Sequence, residues 1–152
     1  MPKTLLAVSH LRQQVESDCL PICVQMVLSY LGRNESYEHL VQLLGTRWFG
    51  TPSENILRLE QINIHVALRE LSLAEIEAAL RRQQPIIAFV NTADLPYWSI
   101  ASNHVVVVVG INEQFVYVND LYFAEAPQIL PRPAFELSQQ IFDYRCALLT
   151  LE

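Results

Sequence analysis

The hydrophobic pattern in the first third of the chain predicts helices. Between Asp18 and Leu31, apolar side chains recur every three or four residues, which is typical of a helix with one buried face. Gly32 follows and can end this helix, because glycine readily adopts the left-handed conformation found after helix C-termini. Two further helical segments are expected at 36–45 and 51–61, where serine, threonine and proline are suitable first residues.

The later part of the chain reads mainly as strands. An alternating run places Ile62, Ile64, Val66 and Leu68 on one face, and the runs after it are β-branched or aromatic. The predicted strands are 62–70, 85–91, 104–112, 115–120 and 144–151. Helices are expected at 72–83, where Ser72 and Glu75 can form a capping box, and at 133–142.

This order of elements predicts an α+β fold, in which an N-terminal helical half packs on an antiparallel β-sheet. The short connection at Glu113-Gln114 indicates a β-hairpin between two of the strands. A chain of 152 residues is long enough for one hydrophobic core, and no linker or repeat interrupts it. We therefore predict a single domain over 1–152.

Charge and composition narrow the expected partners and location. The net charge is −6 and no basic run occurs, so a nucleic acid partner is not expected. The apolar run Val105–Val109 is far shorter than the ~18 residues of a membrane helix, and residues 1–7 lack the pattern of a signal peptide. We expect a cytoplasmic protein without a membrane span. Nothing in the sequence indicates its oligomeric state.

The three cysteines are expected to be free thiols, because their spacing does not suggest a disulfide framework. The four histidines are scattered singly, so neither a metal site nor a cofactor is predicted. Cys19 differs from the other two cysteines because it stands at a predicted helix start. Unpaired N–H groups and the positive end of the helix dipole favour a thiolate there. Cys23 and Cys146 lie within apolar segments and are predicted to be core residues.

A nucleophilic cysteine needs a base, and His104 is the best candidate because it opens a valine-rich strand after a loop. A single histidine beside an apolar strand is more often structural, but the predicted hairpin returns Asp120 to the same end. We predict that Asp120 accepts the Nδ1 proton of His104 and leaves Nε2 facing the thiol. Asn119 is expected on the opposite face of its strand. Gln13 and Gln14 are both available as oxyanion donors.

Three segments, QQVESDCLPICVQMVLSYLG, NHVVVVVGI and FVYVND, resemble the bacteriocin-processing peptidases that cleave after double-glycine leaders. The resemblance implies a papain-like cysteine protease fold with Cys19, His104 and Asp120 as the catalytic triad. It also selects Gln13 for the oxyanion role, because the family has an amide six residues before the nucleophile. The family usually has glycine after the cysteine, whereas this chain has Leu20, which we expect to add bulk beside the substrate cleft.

Two tryptophans beside predicted loops can either pack on the core or line a substrate groove. Trp48 is predicted to be core, whereas Trp98 is close enough to His104 in sequence to be a candidate for contact with substrate. The expected function is a cysteine peptidase acting on a peptide or protein substrate, with a leader peptide as one candidate. The alternatives are an inactive domain of the same fold that only binds a peptide or protein, and transamidation or deconjugation by the same triad.

Overall fold

The structure is a computed structural model that describes residues 4–12, 19–47 and 51–151. Its α-helices are α1 (Cys19–Tyr30), α2 (Tyr37–Leu44), α3 (Leu73–Arg81) and α4 (Arg132–Gln139). Its strands are β1 (Thr4–Leu5), β2 (Ile64–Glu70), β3 (Ile86–Asn91), β4 (Asn103–Ile111), β5 (Phe115–Asn119), β6 (Gln128–Pro131) and β7 (Arg145–Leu151). Short 3-10 helices cover Ser53–Ile62, Thr92–Asp94 and Gln140–Phe142.

The predicted helix ends follow from local hydrogen bonding. The Ser36 hydroxyl accepts the His39 N–H at the start of α2, and Gly45 ends that helix in the left-handed conformation at φ 67°. Ser72 and Glu75 form the capping box expected at the start of α3. The segment predicted as a third helix is a 3-10 helix rather than an α-helix.

One antiparallel sheet organises the strands in the order β2-β7-β3-β4-β5-β6, and β1 also pairs with β4. The predicted hairpin joins β4 to β5, and the Asn112 side chain accepts the N–H groups of Gln114 and Phe115 in its turn. The sequence pattern did not reveal β1 or β6. β1 has two residues and β6 has four, so neither is long enough to display a period.

Apolar side chains fill both faces of this sheet. Along β4, Val105, Val107 and Val109 join a cluster with α1, α2 and the first 3-10 helix. Val106 and Val108 join a second cluster with α3 and α4. The mixed helix and antiparallel-sheet class is therefore confirmed, and helices cover both faces of the sheet. The sheet is held rigidly between them, with α1 against β4.

Candidate active site

Cys19 is the first residue of α1, and its side chain is partly buried. The helix is fixed against the sheet by fully buried residues such as Val24 and Met26. One turn into the helix, the Cys23 thiol donates to the Val105 carbonyl of β4 at 3.6 Å. The thiol of Cys19 is therefore held at the open N–H groups of a helix start, beside the beginning of β4.

His104 stands at the start of β4 and is 6% exposed. Its Nε2–H donates to Asp120 Oδ1 at 2.8 Å, and the Cys19 side chain lies close enough to contribute to raising the pKa of His104. Asp120 directly follows β5, so the hairpin brings the two residues together as the spacing predicted. A thiol, an imidazole and a carboxylate thus lie next to one another, and a hydrogen bond joins the imidazole to the carboxylate.

The predicted roles of the two ring nitrogens of His104 are wrong. Nε2 binds Asp120, and Nδ1 is the nitrogen left to face Cys19. The reason is the position of the Asp120 carboxylate. Its other donors hold it where Nε2 of His104 can reach it. A carboxylate can only accept, so Nε2 carries the proton and Nδ1 is the basic nitrogen of the neutral imidazole.

The carboxylate of Asp120 is fully buried and accepts four hydrogen bonds. Oδ1 accepts His104 Nε2–H at 2.8 Å and the Tyr122 backbone N–H at 3.1 Å. Oδ2 accepts the Tyr97 hydroxyl at 2.9 Å and Trp98 Nε1–H at 2.8 Å. These donors stabilise the ionised form in a site where burial would otherwise favour the neutral acid.

The charges of the pair support each other. Burial would lower the pKa of His104, but its hydrogen bond with Asp120, the neighbouring Cys19 side chain and the negative charges of both groups raise that pKa to about 9. Burial would raise the pKa of Asp120, but the hydrogen bond and charge of His104, with the donors Trp98 and Tyr122, hold that pKa below its usual range. An imidazolium beside a carboxylate is thus the favoured state near neutral pH.

Trp98 belongs to this site, and its ring is half-buried. It lies edge-on to His104 with ring centroids 5.0 Å apart, and it packs on Tyr122 at 4.7 Å and Phe123 at 5.3 Å. Its Nε1–H is committed to Asp120. The predicted contact of Trp98 with substrate stays a prediction, but the residue has a role in the site that the sequence did not suggest.

The expectation that Leu20 adds bulk beside the cleft needs correction. Its side chain is 1% exposed and packs in the core cluster that includes Met26 and Val105. The second residue of α1 points towards the sheet because the helix lays its apolar face there. Leu20 therefore acts as an anchor of α1 rather than as a wall of the cleft.

The described residues do not include four positions named in the sequence predictions, which are Gln13, Gln14, Asp18 and Trp48. The segment that leads towards Gln13 is described as far as residue 12. The Leu6 N–H donates to the Val109 carbonyl at 2.7 Å, and His10 Nε2 contacts the Phe123 carbonyl at 2.7 Å. This segment thus crosses from β4 to the turn that follows Asp120.

The remaining cysteines behave as predicted, because Cys23 and Cys146 are completely buried. Burial raises the pKa of the Cys23 thiol, and burial raises the pKa of Cys146 to about 12. Asn119 points away from the carboxylate, since its side chain donates to the Val8 carbonyl at 3.2 Å. Among residues 4–12, 19–47 and 51–151, no three His, Cys, Asp or Glu side chains are grouped to hold a metal ion.

Tyr97 is a donor to Asp120 that the sequence pattern did not predict. A phenol and an indole shortly before His104 are nevertheless potential hydrogen-bond donors, and this is the signal in the sequence that points to both residues. The described helices also include none that is long and apolar enough to cross a membrane.

Comparison with known proteins decides the family. The model of the Peptidase C39 family matches residues 7–142. The chain belongs to the C39 peptidase family. No protein with a curated functional description matches it in sequence. The resemblance drawn from the three segments is therefore confirmed at the level of the family.

Solved structures of C39 peptidases share this fold. A C39-like peptidase from Bacillus anthracis matches with a TM-score of 0.81 and 15% identity, covering 98% of each chain. The peptidase domain of Streptococcus ComA, a bi-functional ABC transporter involved in quorum sensing, matches at 0.78 and 16%, covering 95% of this chain and 99% of the other. A double glycine motif protease from an AMS/PCAT transporter, in complex with the leader peptide, matches at 0.76 and 18%, covering 99% and 96%. At these identities the likeness concerns the C39 fold.

Proposed function

We propose that this C39 family member is a cysteine peptidase in which Cys19 is the nucleophile, His104 the acid and base, and Asp120 the orienting acid. The observation that carries the proposal is the hydrogen bond from His104 Nε2–H to the buried Asp120, with the Cys19 side chain at the start of α1 close to the same imidazole. Thiol, imidazole and carboxylate in this order are the arrangement that nucleophilic acyl transfer requires.

In the proposed reaction, the Cys19 sulfur attacks the carbonyl carbon of the scissile peptide bond while His104 holds the thiol proton on Nδ1. The Cys19 N–H at the helix start, with Gln13 as the second donor, stabilises the oxyanion. His104 then gives its proton to the leaving amine, the C–N bond breaks and a thioester remains. Water attacks the thioester, His104 accepts a proton from it, and a carboxylic acid and the free thiol are released.

The proposed substrate is a peptide, and a leader-bearing precursor is the candidate that the family favours. One relative of similar fold is described in complex with a leader peptide. The alternative of an inactive binding domain rested on Leu20 blocking the cleft, and the burial of that side chain removes this support.

Selective alkylation tests the nucleophile without a known substrate. Iodoacetamide at neutral pH is expected to label Cys19 far faster than Cys23 or Cys146, which are buried and serve as internal controls. Replacing His104 by Ala should slow labelling of Cys19 by a factor on the order of 100, as expected for loss of a catalytic base. Peptide mapping by mass spectrometry measures each site. Equal labelling of the three cysteines in the folded protein would reject the proposal.

A peptide assay then tests the reaction and its substrate. A synthetic double-glycine leader peptide should be cut by the parent protein and not by the Cys19→Ala variant. A matched peptide with both glycines replaced by alanine shows whether the double glycine is recognised. Mass spectrometry of the products separates hydrolysis, which yields a free carboxylate, from transamidation, which yields an amide with an added amine.

A further inference from the structure

The loop between β3 and β4 delivers two donors to the carboxylate of Asp120 from outside the proposed triad. Tyr97 and Trp98 are consecutive, and both donate to the same oxygen, Oδ2, at 2.9 and 2.8 Å. The other oxygen, Oδ1, serves His104 and the Tyr122 N–H. The carboxylate plane is therefore fixed at both ends, and Oδ1 is directed towards His104.

The loop is built to hold these donors in place. The buried Thr92 side chain accepts the Ser102 N–H at 2.7 Å and donates to the Ile100 carbonyl at 2.6 Å, which fastens the base of the loop. Leu95 is 2% exposed and anchors the loop in the core, and its carbonyl accepts the Trp98 N–H at 3.0 Å. Trp98 is thus restrained through both backbone and side chain.

Resting on the proposed peptidase function, we propose that Tyr97 and Trp98 are positioning residues that orient Asp120 towards His104 and keep its carboxylate ionised. Neither residue reacts with substrate in this scheme. They act on the rate through Asp120, because a carboxylate that rotates or takes up a proton no longer fixes the imidazole with Nδ1 towards Cys19.

The ionisable groups around the carboxylate agree with this role. His104 faces Asp120 from β4, and Tyr97 faces it from the β3–β4 loop. The charge of Asp120 also contributes to the raised pKa of Cys23 in α1. Burial, and the charge and hydrogen bond of Asp120, raise the pKa of Tyr97 far above its usual value, so its hydroxyl remains a donor. The donors supplied by the loop therefore persist throughout the range in which His104 is protonated.

The test uses Tyr97→Phe, Trp98→Phe and the double variant, which delete one or both donors and retain aromatic rings. The rate constant for alkylation of Cys19 by iodoacetamide is expected to fall roughly 10-fold in each single variant and on the order of 100-fold in the double variant. The fall of the alkylation rate at low pH should begin at a higher pH in these variants than in the parent. The reason is that Asp120 takes up a proton more easily without these donors. Tyr117→Phe is the matched control, since its hydroxyl accepts from Asn112 at the opposite end of β4.

A spectroscopic measurement separates positioning from general stability. In the ¹⁵N-histidine-labelled protein, the Nε2–H proton of His104 should resonate at low field in the parent and in Tyr117→Phe. Its resonance should shift or broaden in the Tyr97 and Trp98 variants while thermal unfolding confirms that they fold. An unchanged resonance with an unchanged alkylation profile would overturn the positioning role.

The outcomes also distinguish this inference from the proposed function. If Trp98→Phe raises KM for a cleaved leader peptide and leaves kcat and the pH profile unchanged, Trp98 contacts substrate and the positioning role is wrong. If the parent shows no preference for Cys19 in alkylation, the peptidase proposal fails. The His104 resonance still decides, in that case, whether the two donors orient Asp120.

Discussion

The carboxylate of Asp120 uses both oxygens as acceptors, with two donors on each. Its amide counterpart could not replace it, because an amide has one oxygen and an NH₂ group that cannot accept. Whichever way an Asn side chain was turned, its NH₂ would face two N–H or O–H donors. The identity of this residue is thus set by hydrogen-bond capacity as well as by charge.

Replacing Asp120 by Asn is expected to lower the free energy of unfolding by about 2–4 kcal/mol, because buried donors lose their acceptor and each costs about 1–3 kcal/mol. The same variant should alkylate Cys19 more slowly than the parent. Urea denaturation measures the first effect and peptide mapping the second. Asn119→Ser, which removes a single donor to the Val8 carbonyl on the opposite strand face, is the control and should lower the free energy of unfolding by less. Parental stability in Asp120→Asn would contradict the hydrogen-bond count.

For single residues, the sequence predicted which side chains are partners, but it did not predict which of their atoms make the contact. The hairpin spacing brought Asp120 to His104 because strand register is local there. The choice of ring nitrogen was wrong because it depends on where Tyr97 and Trp98 hold the carboxylate. Those donors come from a loop, and no period describes the path of a loop.

Among the elements, the β3–β4 loop supplies two donors to the site, and a buried hydroxyl together with the Thr92 N–H bond to the Ser102 carbonyl closes its base. Thr92 is completely buried, and its Oγ1 bonds both Ile100 and Ser102. Tyr97 and Trp98 lie within the segment that these bonds close. Loss of the hydrogen bonds of Thr92 is therefore expected to displace Tyr97 and Trp98, the donors to Asp120.

Thr92→Val keeps the shape of the side chain and removes its hydroxyl. We expect it to cost about 1–3 kcal/mol of stability, because the Ser102 N–H and Ile100 carbonyl lose their partner. Alkylation of Cys19 should slow in parallel, whereas Thr92→Ser keeps the hydroxyl and should retain the parental rate. Denaturation and alkylation kinetics measure the two effects. A parental alkylation rate in Thr92→Val would show that the loop does not depend on this closure.

Helix ends were predictable because their caps form between residues that are close in the sequence. A short strand that depends on pairing with a distant segment was not. The caps of α2 and α3 follow from Ser36 and from Ser72 with Glu75, because capping uses neighbouring backbone groups. β1 depends instead on a distant partner. A side chain at Gly110 would lie 2.8 Å from the Thr4 carbonyl, so glycine there leaves room for β1 beside β4.

For the whole molecule, the sheet order β2-β7-β3-β4-β5-β6 places β4, the strand that carries His104, in the interior of the sheet. β4 lies inside the sheet, between β3 and β5, and its valines enter clusters on both faces. The sequence predicted the four α-helices, five of the strands and the β4–β5 hairpin, but not β1, β6 or the order of the strands. That order depends on pairings between distant segments, such as β2 with β7.

The buried pair should also shape the stability of the whole protein against pH. The pKa of His104 is raised from 6.5 to about 9, so its contribution is fully present below pH 6.5 and is lost as pH rises through about 9. The pKa of Asp120 is lowered from 3.8, so its contribution is present above pH 3.8 and is lost as pH falls through the lowered value. The folded state is therefore expected to be most stable between these two limits.

Replacing His104 by Gln should remove the loss of stability between pH 6.5 and about 9, which is on the order of 3 kcal/mol in the parent. Urea denaturation across this range measures it. Above pH 9, parent and variant should decline together, because Cys23 and Cys146 have raised pKa values and ionise more readily when the chain unfolds. Cys146→Ala tests this second contribution alone. A parent whose unfolding free energy stays flat from pH 6.5 to 9 would show that Asp120 and Cys19 do not raise the pKa of His104 in the folded protein.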